Sequence, residues 1–124
     1  MLIAQDLTER VIGLAIEVHR HTGPGLLESV YERCLCSELQ AIGIQFERQV
    51  QVPIIYKGTT IEAGFRADIV VDRILIVEIK GVDALLPLHD AQLLTYLRMS
   101  GLRVGLLLNF HALRLKDGMR RFVV

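Results

Sequence analysis

The sequence is poor in several residue types that mark specialised classes of protein. Only 6% of its 124 residues are aromatic, and neither sign of charge is in excess, because 14 Lys and Arg residues balance 14 Asp and Glu residues. This balance argues against a polycationic nucleic-acid coat, although it is compatible with a local basic patch. Since 52% of the residues are apolar, the composition is that of a well-packed protein rather than a disordered or fibrous one.

The sequence also has few cysteines and no long hydrophobic run near its start. Cys34 and Cys36 stand one residue apart in a helical pattern, where they point in different directions and cannot form a disulfide with each other. No further cysteine completes a zinc set, so a reduced, cytoplasmic setting is the simpler interpretation. The first ten residues lack the basic start and apolar run of a signal peptide or membrane span. We therefore expect no membrane partner and one compact domain over residues 1–124.

Hydrophobic periodicity predicts an α/β protein of mixed α+β type, with a mixed β-sheet flanked by helices. Helical spacing of apolar residues predicts three helices, over residues 6–21, 27–42 and 87–100. Extended patterns predict four strands, over residues 46–56, 60–71, 74–80 and 102–109. The tail from His111 to the C-terminus is predicted to form a short edge hairpin that turns at residues 116–118.

One segment carries charge where a buried sheet should avoid it. Residues 67–81, ADIVVDRILIVEIKG, are as apolar as a buried strand pair but include Asp68, Glu78 and Lys80. Alternation along a strand places Glu78 and Lys80 on one face. Charged residues in such a pattern most often form a solvated face. Here apolar residues share the face with the charges, so we expect a helix to cover part of it; these residues are Val70 and Ile76.

The length of the turn in this hairpin decides whether the charges meet. A two-residue turn would put Asp68 and Glu78 on opposite faces of the sheet. A three-residue turn over 72–74 would instead place Asp68 directly across from Glu78. The same register would place Arg66 across from Lys80. No Asn-Gly or Asp-Gly dipeptide forces the shorter turn, so both registers stay open.

In the longer register, the facing carboxylates predict a divalent cation. Two like charges across a strand pair destabilise it by up to about 1 kcal/mol, so something must compensate. Mg²⁺ or Mn²⁺ would do so, with oxygen ligands from Asp68, Glu78 and the backbone carbonyl of Ile79. Lys80 would then lie beside the metal, able to orient or deprotonate a water molecule. Arg66 is interpreted either as a salt-bridge partner of the carboxylates or as a phosphate contact.

At these residues the chain resembles the PD-(D/E)XK nuclease superfamily, whose restriction-endonuclease-like core runs helix, three strands, helix, strand. It resembles more closely a small bacterial family called GxxExxY proteins, whose motif matches GLLESVY at residues 25–31. The resemblance covers nearly the whole chain, including HRHTGPGLLESVYE, FRADIVV, ILIVEIKGV, HDAQLLTYLR and GLLLNF. One departure is Ala67, where the superfamily name places Pro; that position shapes only the approach of the strand.

The resemblance implies roles for residues in several segments. It implies that Asp68 and Glu78 hold Mg²⁺ or Mn²⁺ and that Lys80 serves the attacking water. Glu28, from the second helix, would be an additional carboxylate that binds the metal or orients metal-bound water. Favouring a helix N-terminus through the helix dipole is the simpler interpretation of Glu28.

Gln92 and Tyr96 match the Gln-x-x-x-Tyr signature of nuclease branches that resemble the RecB exonuclease, which implies substrate contacts. At a spacing of four they share one helical face, and His89 joins them one turn earlier. The simpler interpretation of Tyr96 and Tyr31 is that both are core aromatics with hydroxyls at the rim. His19 is expected to be structural, with a position facing the site as the alternative.

These features predict a metal-dependent nuclease that hydrolyses phosphodiester bonds, with DNA favoured over RNA as its partner. A homodimer is also expected, because so small a nuclease core often needs a second subunit to grip a duplex. The alternative is a non-catalytic nucleic-acid or protein interaction module on a nuclease fold. A sugar or nucleotide enzyme has little support, since no Gly-rich phosphate loop follows a strand.

Overall fold

A computed structural model describes the backbone of residues 2–124 and the side chains of residues 4–62 and 64–124. The three α-helices are α1 (Leu2–Thr22), α2 (Glu28–Ala41) and α3 (Pro87–Ser100). The five strands are β1 (Phe46–Tyr56), β2 (Thr59–Val71), β3 (Leu75–Lys80), β4 (Val104–Asn109) and β5 (Met119–Val123). A short 3-10 helix, Leu115–Gly118, precedes β5.

The five strands form one mixed sheet whose spatial order follows the chain, β1-β2-β3-β4-β5. Neighbouring strands are antiparallel except β3 and β4, which are parallel. A parallel pair needs a crossover connection, and α3 supplies it. The predicted mixed α+β fold, with helices flanking a mixed sheet, is therefore confirmed, as is the order of the first seven elements.

Helices α1 and α2 cover one face of the sheet with an apolar layer. Each contributes side chains at helical spacing, because a helix buries the stripe formed by residues three and four apart. Those of α1 are Leu7, Val11, Ala15 and Val18, and the largest of α2 are Tyr31, Leu35 and Leu39. The alternate residues of β3 that face them are Leu75, Val77 and Ile79. This layer is the main core of the protein.

Helix α3 covers part of the opposite face with a smaller cluster. Leu93 and Leu97 of the helix pack on Val70, Ile76 and Leu107 of the sheet. The helix lies close to β4, since a Cβ atom at Gly105 would come within 3.0 Å of Leu93 and Leu97 side-chain carbons. By alternation, Glu78 and Lys80 lie on the face of Ile76, as predicted. Strict alternation does not hold at Asp68, because Ala67 and Val70, three residues apart, both pack in this cluster.

Two predicted boundaries are wrong. Helix α1 begins at Leu2 rather than at residue 6, because Ala4 extends the apolar stripe by one turn and packs on the core. The tail does not form a hairpin of its own. Instead, the 3-10 helix buries Leu115 in the main core, and β5 then pairs with β4, which satisfies the free edge of that strand.

The remaining expectations concern the cysteines and the membrane. Cys34 and Cys36 are both free, as the sequence predicts. Burial is the main cause that raises the pKa of Cys36 to about 11, so its thiol stays protonated at neutral pH. Among residues 2–124, no helix combines the length and the apolar character that crossing a bilayer would require.

Candidate metal centre

The turn between β2 and β3 has the three-residue form. Val71 pairs with Leu75, so residues 72–74 connect the strands. Asp72 and Arg73 both have positive φ, of 51° and 55°, and the Ile74 amide donates a hydrogen bond to the Val71 carbonyl at 2.9 Å. The longer register is thereby confirmed, and it brings Asp68 next to Glu78.

The pairing of β2 with β3 ends next to Asp68 and Glu78. Their paired residues run only from Val71 and Leu75 to Ile69 and Val77. Beyond that point, a carboxylate oxygen of Asp68 accepts a hydrogen bond from the Ile79 amide at 2.8 Å. The side chain of Asp68 thus takes the place of a main-chain partner, and it is held against the backbone of β3.

The separation of the strands changes one predicted pairing. Since the ladder of described pairs ends at Ile69, Arg66 and Lys80 are not ladder partners, and the expectation that they face each other across the hairpin is wrong. Lys80 lies opposite Asn109 of β4 instead. Arg66 lies opposite Gln51 of β1, where its side chain is exposed.

Glu78 is a buried carboxyl group whose set of hydrogen-bond partners among the described residues is incomplete. The residue is only 4% exposed, and its buried Oε1 has no hydrogen-bond partner in the part of the chain that the structure describes. Burial raises the pKa of Glu78 to about 9, helped by the hydrogen bond and the negative charge of Asp68 and opposed by Lys80. In the absence of a cation, this group is therefore protonated at neutral pH.

The donor set around Glu78 fits a hard divalent cation. Two carboxylates from Asp68 and Glu78, with the main-chain carbonyl of Ile79 between Glu78 and Lys80, offer the oxygen ligands that Mg²⁺ and Mn²⁺ prefer. Among the described residues, no three His, Cys, Asp or Glu side chains are grouped closely enough to hold a metal. Such a sparse set is compatible with Mg²⁺, which keeps several waters and takes few protein ligands.

Glu28 lies at the same end of β3 as Glu78 and Lys80, next to the residue that follows the strand. A carboxylate oxygen of Glu28 accepts a hydrogen bond from the Gly81 amide at 2.8 Å, across 53 residues of sequence. A Cβ atom at Gly81 would lie 2.9 Å from Nε2 of His111 and 3.3 Å from Cγ of Glu28, so glycine leaves room for both. The first residue of α2 is thus joined to the residue that follows Lys80.

Lys80 and Arg66 both carry a positive charge without a fixed partner. Lys80 is partly exposed at the end of β3, and its charge favours the ionised form of Glu78. No ion pair within the described part of the chain involves either residue. Arg66 therefore forms no salt bridge to Asp68 or Glu78 within the described residues.

Gln92 and Tyr96 lie on α3 at a spacing of four, as predicted, and Tyr96 contacts an aromatic residue of β2. The ring of Tyr96 stacks on Phe65 with centroids 3.9 Å apart and planes 2° from parallel. Burial raises the pKa of Tyr96, and the charges of Glu78 and Asp68 add to this shift, which places its hydroxyl within their electrostatic reach. Gln92 lies one turn earlier on α3 and is partly exposed.

Several histidines and one tyrosine have structural roles. His89 accepts a hydrogen bond from the Leu86 amide at 3.0 Å, so it caps α3. His19 bonds the Ala112 carbonyl at 2.8 Å, which confirms the structural interpretation. Tyr31 is fully buried; its hydroxyl donates to the Gly23 carbonyl at 2.6 Å and accepts from the Leu26 amide at 3.0 Å. The tyrosine of the GLLESVY motif therefore shapes the loop that precedes Glu28.

Sequence reasoning missed two residues that hold this end of the sheet. Asn109, only 2% exposed, exchanges hydrogen bonds with the main chain of Val82 at 3.1 and 2.8 Å. His111 bonds the Leu26 carbonyl at 2.9 Å and lies edge-on to Tyr31. A buried polar residue at the end of the apolar run GLLLN was the available signal for Asn109. His111 was missed because the tail that contains it was predicted to form a separate hairpin.

A family model described as the PD-(D/E)XK nuclease superfamily matches residues 5–122. The matched region contains strands β1 to β4, all but the last residue of β5, and all the candidate site residues. Comparisons with curated proteins and with solved structures gave no significant match.

Proposed function

This chain belongs to the PD-(D/E)XK nuclease superfamily, and we propose on that premise that it is a metal-dependent nuclease that hydrolyses phosphodiester bonds in nucleic acid. The observation that carries the proposal is Glu78. Its buried carboxylate oxygen lacks a partner, and its pKa is raised to about 9 beside a second carboxylate. A buried ionisable group in this state is costly for the fold and is typical of functional sites.

In the proposed site, Asp68, Glu78 and the carbonyl of Ile79 hold Mg²⁺ or Mn²⁺. A bound divalent ion supplies a more acidic water and neutralises negative charge on the phosphate. Glu28 assists from the end of β3, where it accepts the Gly81 hydrogen bond with one oxygen and keeps the other available to orient water. Glu78 gives up its proton on binding, because a ligating carboxylate must be ionised.

Lys80 is assigned two roles next to the carboxylates, positioning the nucleophilic water and stabilising negative charge. It lies two residues after Glu78 on the same face, and its charge already lowers the pKa of Glu78. Its ammonium group would position the nucleophilic water and stabilise the developing oxyanion on phosphorus. The partial exposure of Lys80 leaves this group accessible to a substrate.

Substrate binding is assigned to Arg66, Gln92 and Tyr96. Arg66 would contact a phosphate, since its side chain is exposed and has no ion-pair partner within the described residues. The stacked rings of Tyr96 and Phe65 make a flat aromatic edge beside the carboxylates, and Gln92 lies one turn away. We propose DNA ahead of RNA as substrate, a homodimer as the assembly, and the cytoplasm as the location.

The direct test is incubation of the purified protein with mixed DNA and RNA in the presence of Mn²⁺. The wild type is expected to cleave one of the substrates, whereas an Asp68→Ala variant purified in the same way is expected not to. Equal activity in both samples would identify a contaminating nuclease and would count against the proposal.

A second candidate is a non-catalytic binding module on the same fold. The absence of a three-ligand cluster among the described residues favours it over a nuclease with a fully formed metal site. The presence of Asp68, Glu78 and Lys80 together opposes it. Calorimetry with Mn²⁺ separates the two, because a module that has lost its site would neither bind the ion nor gain stability from it.

A further inference from the structure

A second feature, away from the carboxylates, is a cavity of about 480 Å³ between the end of α1 and the segment that precedes the 3-10 helix. We call it the basic cavity. Its apolar floor includes Ile16 and Leu115, and its charged rim consists of Arg20, Arg114 and Lys116. All the charged side chains that line it are cationic, in a protein whose formal net charge is zero.

Two of these three cations have no acidic partner among the described residues. Arg20 is bonded to Glu17 at 3.0 Å, and both side chains are largely exposed. The exposed Arg114 and Lys116 make no ion pair within the described part of the chain. Two unneutralised positive charges on the rim of one cavity favour an anionic ligand, and their exposure leaves them free to reach it.

The segment that carries Arg114 is held in place. His19, at the end of α1, donates its Nε2 proton to the Ala112 carbonyl at 2.8 Å, since a carbonyl can only accept. The ring of His19 lies 6.2 Å from that of Phe110, which is fully buried. The fold therefore fixes the backbone that forms the basic cavity, and the cavity does not depend only on the conformations of two long side chains.

Two short segments connect the basic cavity to the candidate metal centre. Pro24 lines the cavity, and Glu28, four residues later, bonds the end of β3. Four residues span at most about 14 Å. On the second segment, His111 contacts the Leu26 carbonyl beside Gly81, and Arg114 follows three residues later. Since successive phosphates of one DNA strand rise about 3.4 Å along the duplex, this distance corresponds to roughly four nucleotides.

We propose that the basic cavity binds backbone phosphate of the nucleic-acid substrate, within a few nucleotides of the bond that is cleaved. This inference rests on the proposed function, and it adds Arg114 and Lys116 as substrate-positioning residues. They lie on the α1 side of the metal centre, whereas Gln92 and Tyr96 lie on the α3 side. The substrate would thus be held on both sides of the carboxylates.

The test is the salt dependence of DNA binding in EDTA, where no hydrolysis occurs. Each phosphate neutralised by a cation contributes about 0.9 to the slope of log K against log salt concentration on duplex DNA. An Arg114→Ala/Lys116→Ala variant is therefore expected to lower the slope by about two. The matched control is Arg10→Ala/Arg121→Ala, which removes the same charge from exposed residues outside the cavity and is expected to leave the slope nearly unchanged.

Equal slopes for the cavity variant and the control would overturn the inference, as would an absence of DNA binding by the wild type. Inorganic phosphate is titrated in parallel. If only its binding responds to the cavity variant, the cavity takes small anions and the assignment to nucleic acid is wrong.

Cleavage in Mn²⁺ is scored separately. Cleavage by the wild type together with equal slopes would reject this inference and leave the proposed nuclease standing. A difference in slope without cleavage would support binding of nucleic-acid phosphate at the basic cavity, but it would reject the nuclease and with it the relation of the cavity to a cleaved bond.

Discussion

Glu32 and Glu78 are buried to the same extent, at 4% exposure each, but their surroundings differ. Glu32 of α2 accepts hydrogen bonds from Arg48 at 2.9 Å and from Gln49 at 2.6 Å, and a second Arg48 nitrogen lies 2.8 Å away. Glu78 of β3 leaves one buried oxygen without any partner, and its close neighbour is another carboxylate, Asp68.

The comparison separates a structural carboxylate from a functional one. Glu32 links α2 to β1, and Arg48 balances its charge, so Glu32 needs no further ligand. Around Glu78 the described residues supply no ion pair and leave one buried oxygen without a hydrogen-bond donor, and a buried group left in that state costs stability. A site that the protein itself leaves incomplete is one that an external ligand can complete, and the oxygen donors there suit a divalent metal.

The largest expected effect is a loss of cleavage activity when a residue close to Glu78 is replaced. Replacing Lys80 with Ala should lower the rate of nucleic-acid cleavage by at least about 100-fold, because a positioned proton-transfer group contributes about 10² to 10⁴. Thermal unfolding and Mn²⁺ binding should change little, since Lys80 is partly exposed. The control is Lys57→Ala, which removes an exposed lysine that lies over the Tyr56 ring at the β1–β2 turn. Unchanged cleavage in the Lys80 variant would remove its assigned role.

The next effect is on stability, and it should have opposite character at the two glutamates. Arg48→Ala strands the buried charge of Glu32 and should lower the free energy of unfolding by about 2–3 kcal/mol, below the usual range because Arg48 is partly exposed and Gln49 stays bonded. Glu78→Gln should instead raise it at pH 7, by up to about 3 kcal/mol, because folding of the wild type must place a proton on Glu78 above its ordinary pKa of 4.5 and Gln needs none. Urea unfolding measures both. A large loss in the Glu78 variant would contradict the account.

The third effect is a dependence of stability on pH in the metal-free protein. The folded pKa of Glu78, about 9, lies above its ordinary value of 4.5, so between these values the folded state holds a proton that the unfolded state has lost. Stability should therefore fall as pH rises through this window, with a slope of at most about 1.4 kcal/mol per pH unit from this group. The difference between the wild-type and Glu78→Gln curves isolates it. A difference that is flat between pH 5 and 8 would be inconsistent with a buried, unpaired carboxylate.

The smallest of these effects concerns Gly81, which accommodates Glu28 and His111. Gly81→Ala places a methyl group 2.9 Å from Nε2 of His111, so both side chains must shift and cleavage should fall by about tenfold. Gly13→Ala is the matched control, because a Cβ atom there meets nothing within 4 Å. In the middle of α1 it should instead raise stability by up to about 1 kcal/mol. Equal cleavage by both variants would show that the position of Glu28 is unimportant.

Much of this arrangement could be predicted from local pattern. The period-two alternation of β3 and the apolar Ile76 beside Glu78 were enough to indicate a partly covered charged face, and α3 was predicted with the bounds it has. The register was not decidable, because Asp72 and Arg73 adopt left-handed conformations that their residue types do not demand.

Contacts between distant segments were beyond the reach of sequence reasoning. The hydrogen bond from Gly81 to Glu28 joins residues 53 positions apart, and its existence depends on how α2 packs on the sheet. The same holds for His111, whose partner Leu26 is 85 residues away. The separation of β2 from β3 after Ile69 likewise follows from the competition between Asp68 and the main chain for the Ile79 amide.

The most direct test of the account is calorimetric titration of Mn²⁺ into the wild type and into Glu78→Gln at pH 7. The wild type should bind the ion and release a proton, seen as an enthalpy that depends on the ionisation heat of the buffer, because Glu78 must ionise to become a ligand. The variant should show little or no binding. Equal binding by both proteins, or none by the wild type, would contradict the assignment of Glu78 to a metal centre.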